Sequence, residues 1–273
     1  MSRVWKLALL GDPVAHSLSP VLQLAALEAA GLEGSYELIR CPAGQLAARL
    51  ERLAGEGFQG LNLTLPLKEE GFALSERLSA EARRLGAVNT LRRIPEGWEG
   101  HNTDLEGFRR AVQRHFGSPL GCRVLLFGAG GAARAVLAGL MDDEIAQVLL
   151  WNRSPERAAR LLDGLEGSRE RTRLVLRDEE LASALEVAEL IIQATSLGLD
   201  PGDPLPPLPP IGRAPHVMDL VTHETPWLAA CSRLGCKIAD GRSMLLEQGA
   251  AAFHYWTGLP ASRQAMERAI GLS

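Results

Sequence analysis

The sequence predicts an α/β protein of two α/β domains, the N-terminal one built around a mostly parallel sheet. Two observations carry this reading. Short apolar runs alternate with amphipathic segments, the pattern of strands joined by helical crossovers. A break at Gly117-Ser118-Pro119-Leu120-Gly121 separates one such series from a second. The bulk figures agree. A chain of 273 residues is comfortable for two domains, and 46% hydrophobic with 23% charged residues is an ordinary globular composition. Such a chain can bury full cores without metal or disulfide.

Taken in order, residues 7–10 read as a strand. Ser19-Pro20 fits a helix N-cap followed by proline at the first helical position, and Gly31 fits the stop. Residues 36–39 read as a second strand, 45–53 as a helix and 61–65 as a third strand. Residues 79–85 read as a capped helix ended by Gly86, 87–91 as a further strand and 105–116 as a connecting helix. Beyond the break, residues 124–127, 148–151, 190–194 and 217–220 read as strands, and 131–141 and 155–165 as helices. The proline-rich stretch 201–210 reads as a surface loop, since proline cannot donate to a ladder. From Ser243 onward the chain reads as helical. The expected domains are residues 1–104 completed by 243–273, and residues 105–242.

The net charge of −4 argues against a nucleic-acid partner, which needs a basic face. An anionic small ligand needs only a local cluster of Arg or Lys. Cys41, Cys122, Cys231 and Cys236 show no zinc-ligand spacing, so reduced thiols and no metal are expected. The apolar run 7–10 is too short for a signal segment. No stretch reaches the roughly 18 apolar residues of a membrane span. The expectation is a cytoplasmic protein without membrane contact, a monomer or a homodimer.

Gly128-Ala129-Gly130-Gly131-Ala132-Ala133 follows a predicted strand and opens a predicted helix. The spacing G-x-G-x-x-A is a variant of the dinucleotide fingerprint. Gly128 permits the tight turn, Gly130 lets the backbone approach a pyrophosphate, and Ala133 allows close helix–strand packing. Free amides at the helix start bind phosphate. The alternative is a structural turn. At the end of the next strand the chain reads Asn152-Arg153-Ser154-Pro155-Glu156-Arg157, a guanidinium where an NAD site would place an acid. Arginine, bidentate and always charged, suits a 2′-phosphate. The expected cofactor is therefore NADP on a Rossmann-type domain; the alternative is a solvated basic loop.

In the first domain, three segments are polar where a structural loop could be anything: His16-Ser17-Leu18-Ser19-Pro20, Asn62-Leu63-Thr64-Leu65-Pro66-Leu67-Lys68, and Asn89-Thr90 with Asn102-Thr103-Asp104. Alternation in a strand places Asn62 and Thr64 on one face, with Lys68 just past its C-terminal end. Hydroxyls, amides, one ammonium and one carboxylate could hold a molecule rich in hydroxyls with one carboxylate. Taken singly each has a bland alternative: Ser19 a helix cap, Lys68 a surface lysine, Asp104 a cap for the helix beginning at Leu105.

Together with Gly11-Asp12-Pro13-Val14-Ala15, Gly86-Ala87-Val88, and Ala239-Asp240-Gly241 followed by Gln248, these segments resemble the shikimate dehydrogenases nearly end to end. The resemblance implies a substrate of the shikimate/3-dehydroshikimate type and NADP as cofactor. It implies that Ser17 and Ser19 bind the substrate carboxylate, that Asn62, Thr64, Asn89 and Gln248 line the ring, and that Lys68 and Asp104 form the catalytic pair. Gly128, Ala129, Gly130, Gly131 and Ala132 would hold the pyrophosphate, with Asn152, Arg153, Ser154 and Arg157 around the 2′-phosphate. Thr195 would lie near the cofactor ribose, and Leu220 and Gly241 near the nicotinamide. Three positions depart from the family pattern: Gln23 where His is frequent, Leu199 where Met is usual, and Thr222 where a substrate-binding Tyr is usual. Quinate-accepting relatives tend to carry Ser-x-Thr in place of Ser17-Leu18-Ser19, which favours shikimate.

Lys68 is then the expected proton donor to the new alkoxide and the base in reverse, with Asp104 orienting it. Two other readings stand beside this one. A related dehydrogenase acting on quinate or an aminated analogue is motivated by Thr222, and a substrate panel separates it. A catalytically silent NADP-binding protein on the same scaffold is disfavoured by the intact Lys68–Asp104 pair.

Overall fold

The structure, a computed structural model, describes residues 4–200 and 202–272. Pro201, first residue of the proline-rich stretch, and the three residues ahead of Val4 lie outside it. The chain divides into two compact units, Met1–Gly107 with Leu245–Ser273, and Phe108–Met244.

The first unit holds β1 (Trp5–Gly11), β2 (Gly34–Arg40), β3 (Gly60–Leu63), β4 (Arg77–Leu78), β5 (Thr90–Ile94) and β6 (Gly97–His101) in one sheet of order β2-β1-β3-β5-β6-β4. β1 runs parallel to β2 and β3, and β4 parallel to β6. β5 is antiparallel to β3 and β6. The apolar run of β1 is continuous because both faces are covered. Leu7 and Leu9 point to one face, against the helices Ser19–Ala29 and Arg242–Thr257 through Leu22, Ala26, Leu246 and Phe253. Ala8 and Leu10 point to the other, against Leu46–Gly55 through Leu46, Leu50 and Leu53. Each such buried leucine contributes about 1.5–3 kcal/mol by leaving water.

Four local expectations are corrected. Ser19 is not the N-cap: Leu18 holds that position, and Ser19 opens the helix, with its amide donating to Ser17 Oγ at 3.2 Å. The third strand stops at Leu63, because Pro66 cannot extend the ladder and the chain turns with Leu67 N–H on Thr64 O at 2.8 Å. Thr64 therefore lies beyond the strand alternation. The strand expected over 87–91 begins at Thr90. It belongs to an antiparallel hairpin that the strand–helix alternation does not announce. The cap at Ser79 is as expected: its hydroxyl accepts from Ala82 N–H at 3.1 Å, and Gly86 ends the helix at φ +58°.

The second unit is a wholly parallel sheet of β7 (Arg123–Phe127), β8 (Gln147–Trp151), β9 (Thr172–Val175), β10 (Leu190–Gln193), β11 (His216–Asp219) and β12 (Lys237–Ala239), in the order β12-β11-β10-β7-β8-β9. The chain reverses its direction of travel between β7 and β10, which places a ligand site at the C-terminal ends of those strands. Among the described residues no helix is long and apolar enough to cross a membrane, and no cluster of His, Cys, Asp or Glu is arranged to hold a metal.

Candidate active site

Lys68 is the first residue of the helix Lys68–Ala73, and Asp104 the first of Asp104–Phe116. Both starts are fixed by hydrogen bonds, one to backbone and one to a side chain: Val88 N–H donates to Lys68 O at 2.9 Å, and Asp104 N–H to Asn102 Oδ1 at 3.0 Å. Asn102 is thus the residue that serves the helix start, and the Asp104 side chain is free for other work. Lys68 Nζ donates to Asp104 Oδ2 at 2.6 Å, with side chains 17% and 7% exposed. A pair this dry persists only if its remaining valences are met. Asn89 meets one, donating from Nδ2 to Asp104 Oδ1 at 2.7 Å.

Asn89 is itself held on all sides. Its Nδ2 lies 3.0 Å from Thr103 Oγ1 and 3.4 Å from Gln248 Oε1, and its Oδ1 accepts from Thr103 N–H at 2.9 Å. Asn62 Nδ2 donates to Asn89 O and to Thr90 Oγ1, each at 3.1 Å. Ser17 Oγ donates to Ser19 Oγ at 3.1 Å. Lys68, Asp104, Asn89, Asn62 and Gln248 therefore form one hydrogen-bonded cluster, with Ser17 and Ser19 a second group. Thr64 is half-buried, its methyl against Gly11, where a Cβ would come within 2.3 Å. Reading the sequence missed Tyr36, whose hydroxyl donates to Asn62 Oδ1 at 2.8 Å, and gave the buried Thr103 no role of its own. A tyrosine in an apolar strand carries no signal of this kind; only the strand order brings it to Asn62.

In the second unit, Gly128 ends β7 at φ +113°, and a Cβ there would lie 2.8 Å from Ala194 O. Only glycine makes this turn. Gly130 is exposed, and a Cβ on it would meet nothing within 4 Å, so space lies open before the backbone. Gly131 and Ala132 open the helix Gly131–Asp142, while Ala133 is fully buried against the sheet. Half-buried Ala129 bridges the two glycines of the turn. Past β8, Asn152 Nδ2 donates to Ser154 O at 2.8 Å, which shapes the loop. Arg153 and Arg157 are exposed and make no ion pair among the described residues. Thr195 follows β10, its hydroxyl on Gln193 Oε1 at 2.8 Å. Leu220 N–H is bonded to Gln193 O at 2.9 Å, and Gly241 N–H to Val221 O at 2.8 Å. A Cβ on Gly241 would fall 2.1 Å from Leu220 O. The open glycine turn, the helix start and the unpaired arginines fit a dinucleotide with a 2′-phosphate.

An open glycine turn that fits a dinucleotide in one unit and a lysine–carboxylate pair in the other suit hydride exchange at an alcohol; the chain is a two-domain pyridine-nucleotide oxidoreductase. Residues 9–91 match the shikimate dehydrogenase substrate binding domain, residues 110–198 the shikimate / quinate 5-dehydrogenase domain, and residues 241–270 the shikimate 5′-dehydrogenase C-terminal domain. The chain belongs to the shikimate dehydrogenase family. It is 43% identical over 270 residues to the shikimate dehydrogenase (NADP(+)) of Thermus thermophilus, covering 97% of each chain. The solved Thermus thermophilus shikimate 5-dehydrogenase in complex with NADP(H) and shikimate superposes with a TM-score of 0.85 at 40% identity, over 98% of this chain and 99% of that one. Quinate dehydrogenase from Corynebacterium glutamicum in complex with NAD gives 0.88 at 28% identity, over 99% and 100%.

Proposed function

We propose that the chain catalyses the reversible NADPH-dependent reduction of 3-dehydroshikimate to shikimate, a step toward chorismate and the aromatic amino acids. The observation that carries this reading is the buried Lys68–Asp104 pair at 2.6 Å, tied through Asn89 to the amides of Asn62 and Gln248. Near-full-length similarity to a shikimate dehydrogenase (NADP(+)) supports it.

The first unit is assigned the ring acid. Ser17 and Ser19 receive the carboxylate, and Asn62, Thr64, Asn89 and Gln248 the ring hydroxyls. Lys68 gives its proton to the reducing carbonyl oxygen and takes it back in the reverse direction. Asp104 holds the ammonium in place, and Asn89 holds Asp104. The second unit is assigned the cofactor, with Gly128, Ala129, Gly130, Gly131 and Ala132 at the pyrophosphate. Asn152, Arg153, Ser154 and Arg157 are assigned to the 2′-phosphate, and Thr195, Leu220 and Gly241 to the ribose and nicotinamide end. NADPH, when bound, supplies the hydride. A cytoplasmic location and a monomeric or dimeric state belong to the same proposal.

A second reading, quinate with NAD, is favoured by the likeness to quinate dehydrogenase and by Thr222, half-buried and without a hydrogen bond among the described residues. Ser17-Leu18-Ser19 weighs against it. The test is NADPH or NADH formation by the purified protein with shikimate or quinate against NADP⁺ or NAD⁺. Turnover fastest with shikimate and NADP⁺ supports the first reading; preference for quinate and NAD⁺ replaces it with the second.

A further inference from the structure

Asn62 has no hydrogen left to offer, since both hydrogens of Nδ2 are used on Asn89 O and Thr90 Oγ1. Asn89 O can only accept and so already turns Nδ2 toward itself; at the other end Oδ1 accepts from the Tyr36 hydroxyl at 2.8 Å. That hydroxyl comes from two strands away. Tyr36 pairs with Leu7 and Asn62 with Leu9, so the two flank β1 on the face where Leu7 and Leu9 meet the apolar core. Crossing β1 means spanning about 9.6 Å, twice the strand spacing, which a phenol and an amide cover together. Burial pushes the Tyr36 pKa up, so the phenol stays protonated and donates toward Asn62.

The geometry points to Tyr36 as a positioning residue for the ring acid: one hydroxyl, reaching across β1, that holds the acceptor end of the Asn62 amide in place. The two settings of an asparagine amide exchange donor and acceptor. Asn89 O and a phenol that donates select the same setting, and the phenol holds Oδ1 in it. Tyr36 touches no reacting atom; it acts through Asn62. This inference rests on the proposed assignment of the ring acid to this unit.

The test is steady-state oxidation of shikimate by NADP⁺ with the parent chain, Tyr36→Phe, Asn62→Ala and the double variant. Phenylalanine keeps the ring, which sits 6.5 Å from that of Trp256, and deletes only the hydroxyl. In Tyr36→Phe the KM for shikimate is expected to rise about tenfold, the worth of one buried hydrogen bond, with kcat within about twofold and the KM for NADP⁺ unchanged. In the Asn62→Ala background the same substitution should add less than about twofold, because the partner through which it acts is gone. Additive effects in the cycle mean a packing role and overturn the proposal, as does an unchanged KM in Tyr36→Phe. If Tyr36→Phe folds poorly, the double variant is compared with Asn62→Ala, and a further rise in KM of more than about twofold overturns the proposal. A folded parent chain that does not oxidise shikimate overturns the site assignment, and this inference with it.

Discussion

An ammonium 2.6 Å from a carboxylate that is 7% exposed is doing two things at once, and substitutions separate them. Removing one partner of a buried pair strands the other, at a cost of about 3–5 kcal/mol when burial is complete. Lys68→Ala therefore risks reading instability as lost catalysis. Lys68→Arg keeps the charge opposite Asp104 but cannot release its proton near neutrality. Both variants are expected to lose on the order of 10²–10⁴ in kcat, the worth of a positioned acid, with NADPH affinity nearly unchanged. Only Lys68→Ala should also lower the denaturation midpoint appreciably. Parental turnover by folded Lys68→Arg would remove Lys68 from the proton-transfer step. At this scale the sequence was informative where a residue sits in a patterned segment, as Lys68 and Asp104 do. It was silent on Tyr36, whose role exists only once β2, β1 and β3 lie in register.

The loop after β11 shows how one buried side chain shapes a stretch of backbone. Asp219, 1% exposed, accepts from Val221 N–H at 3.1 Å and from Thr225 Oγ1 at 2.8 Å, while Thr225 caps the helix Pro226–Arg233. One carboxylate thus shapes the backbone from Leu220 to the next helix. Burial pushes its pKa from 3.8 up to about 6, against the opposing pull of those two donors. The folded state therefore binds this proton more tightly than the unfolded chain. The resulting stabilisation is full below about pH 4 and is lost as pH rises through about 6, a swing of about 3 kcal/mol. Asp219→Asn, which keeps the shape and cannot ionise, should gain on the parent in denaturation midpoint between pH 4 and pH 7. A constant difference across that range would mean that Asp219 ionises at its ordinary value. Elements were legible in proportion to their apolar length. β7, β8, β10 and β11 are buried on both faces and stood out. β9 and β12, short strands at the two edges of the sheet, did not. The β5–β6 hairpin was hidden for another reason: Arg92, Arg93, Glu96 and Glu99 make it polar, and its register comes from the turn at Gly97, φ +153°.

For the molecule as a whole, a net charge of −4 repels the anionic ligands it is proposed to bind, so local charge must prevail over the overall field. Arg153 and Arg157 are the cations proposed for this, exposed and without ion pairs among the described residues. A 2′-phosphate on such arginines gains charge-assisted bonds that a 2′-hydroxyl cannot. Binding to the folded state alone stabilises it by RT ln(1 + [L]/Kd), about 2.7 kcal/mol at a hundredfold excess over Kd. NADPH should therefore raise the thermal midpoint by several degrees, and NADH at equal concentration by clearly less. Arg153→Ala with Arg157→Ala should bring the two shifts together by lowering that of NADPH, leaving the shift from NADH in place, since the pyrophosphate common to both is assigned to the glycine turn. Equal shifts in the parent chain would mean that the loop after β8 is only a solvated basic surface. The same result would leave the NADP assignment with no residue in this chain to rest on.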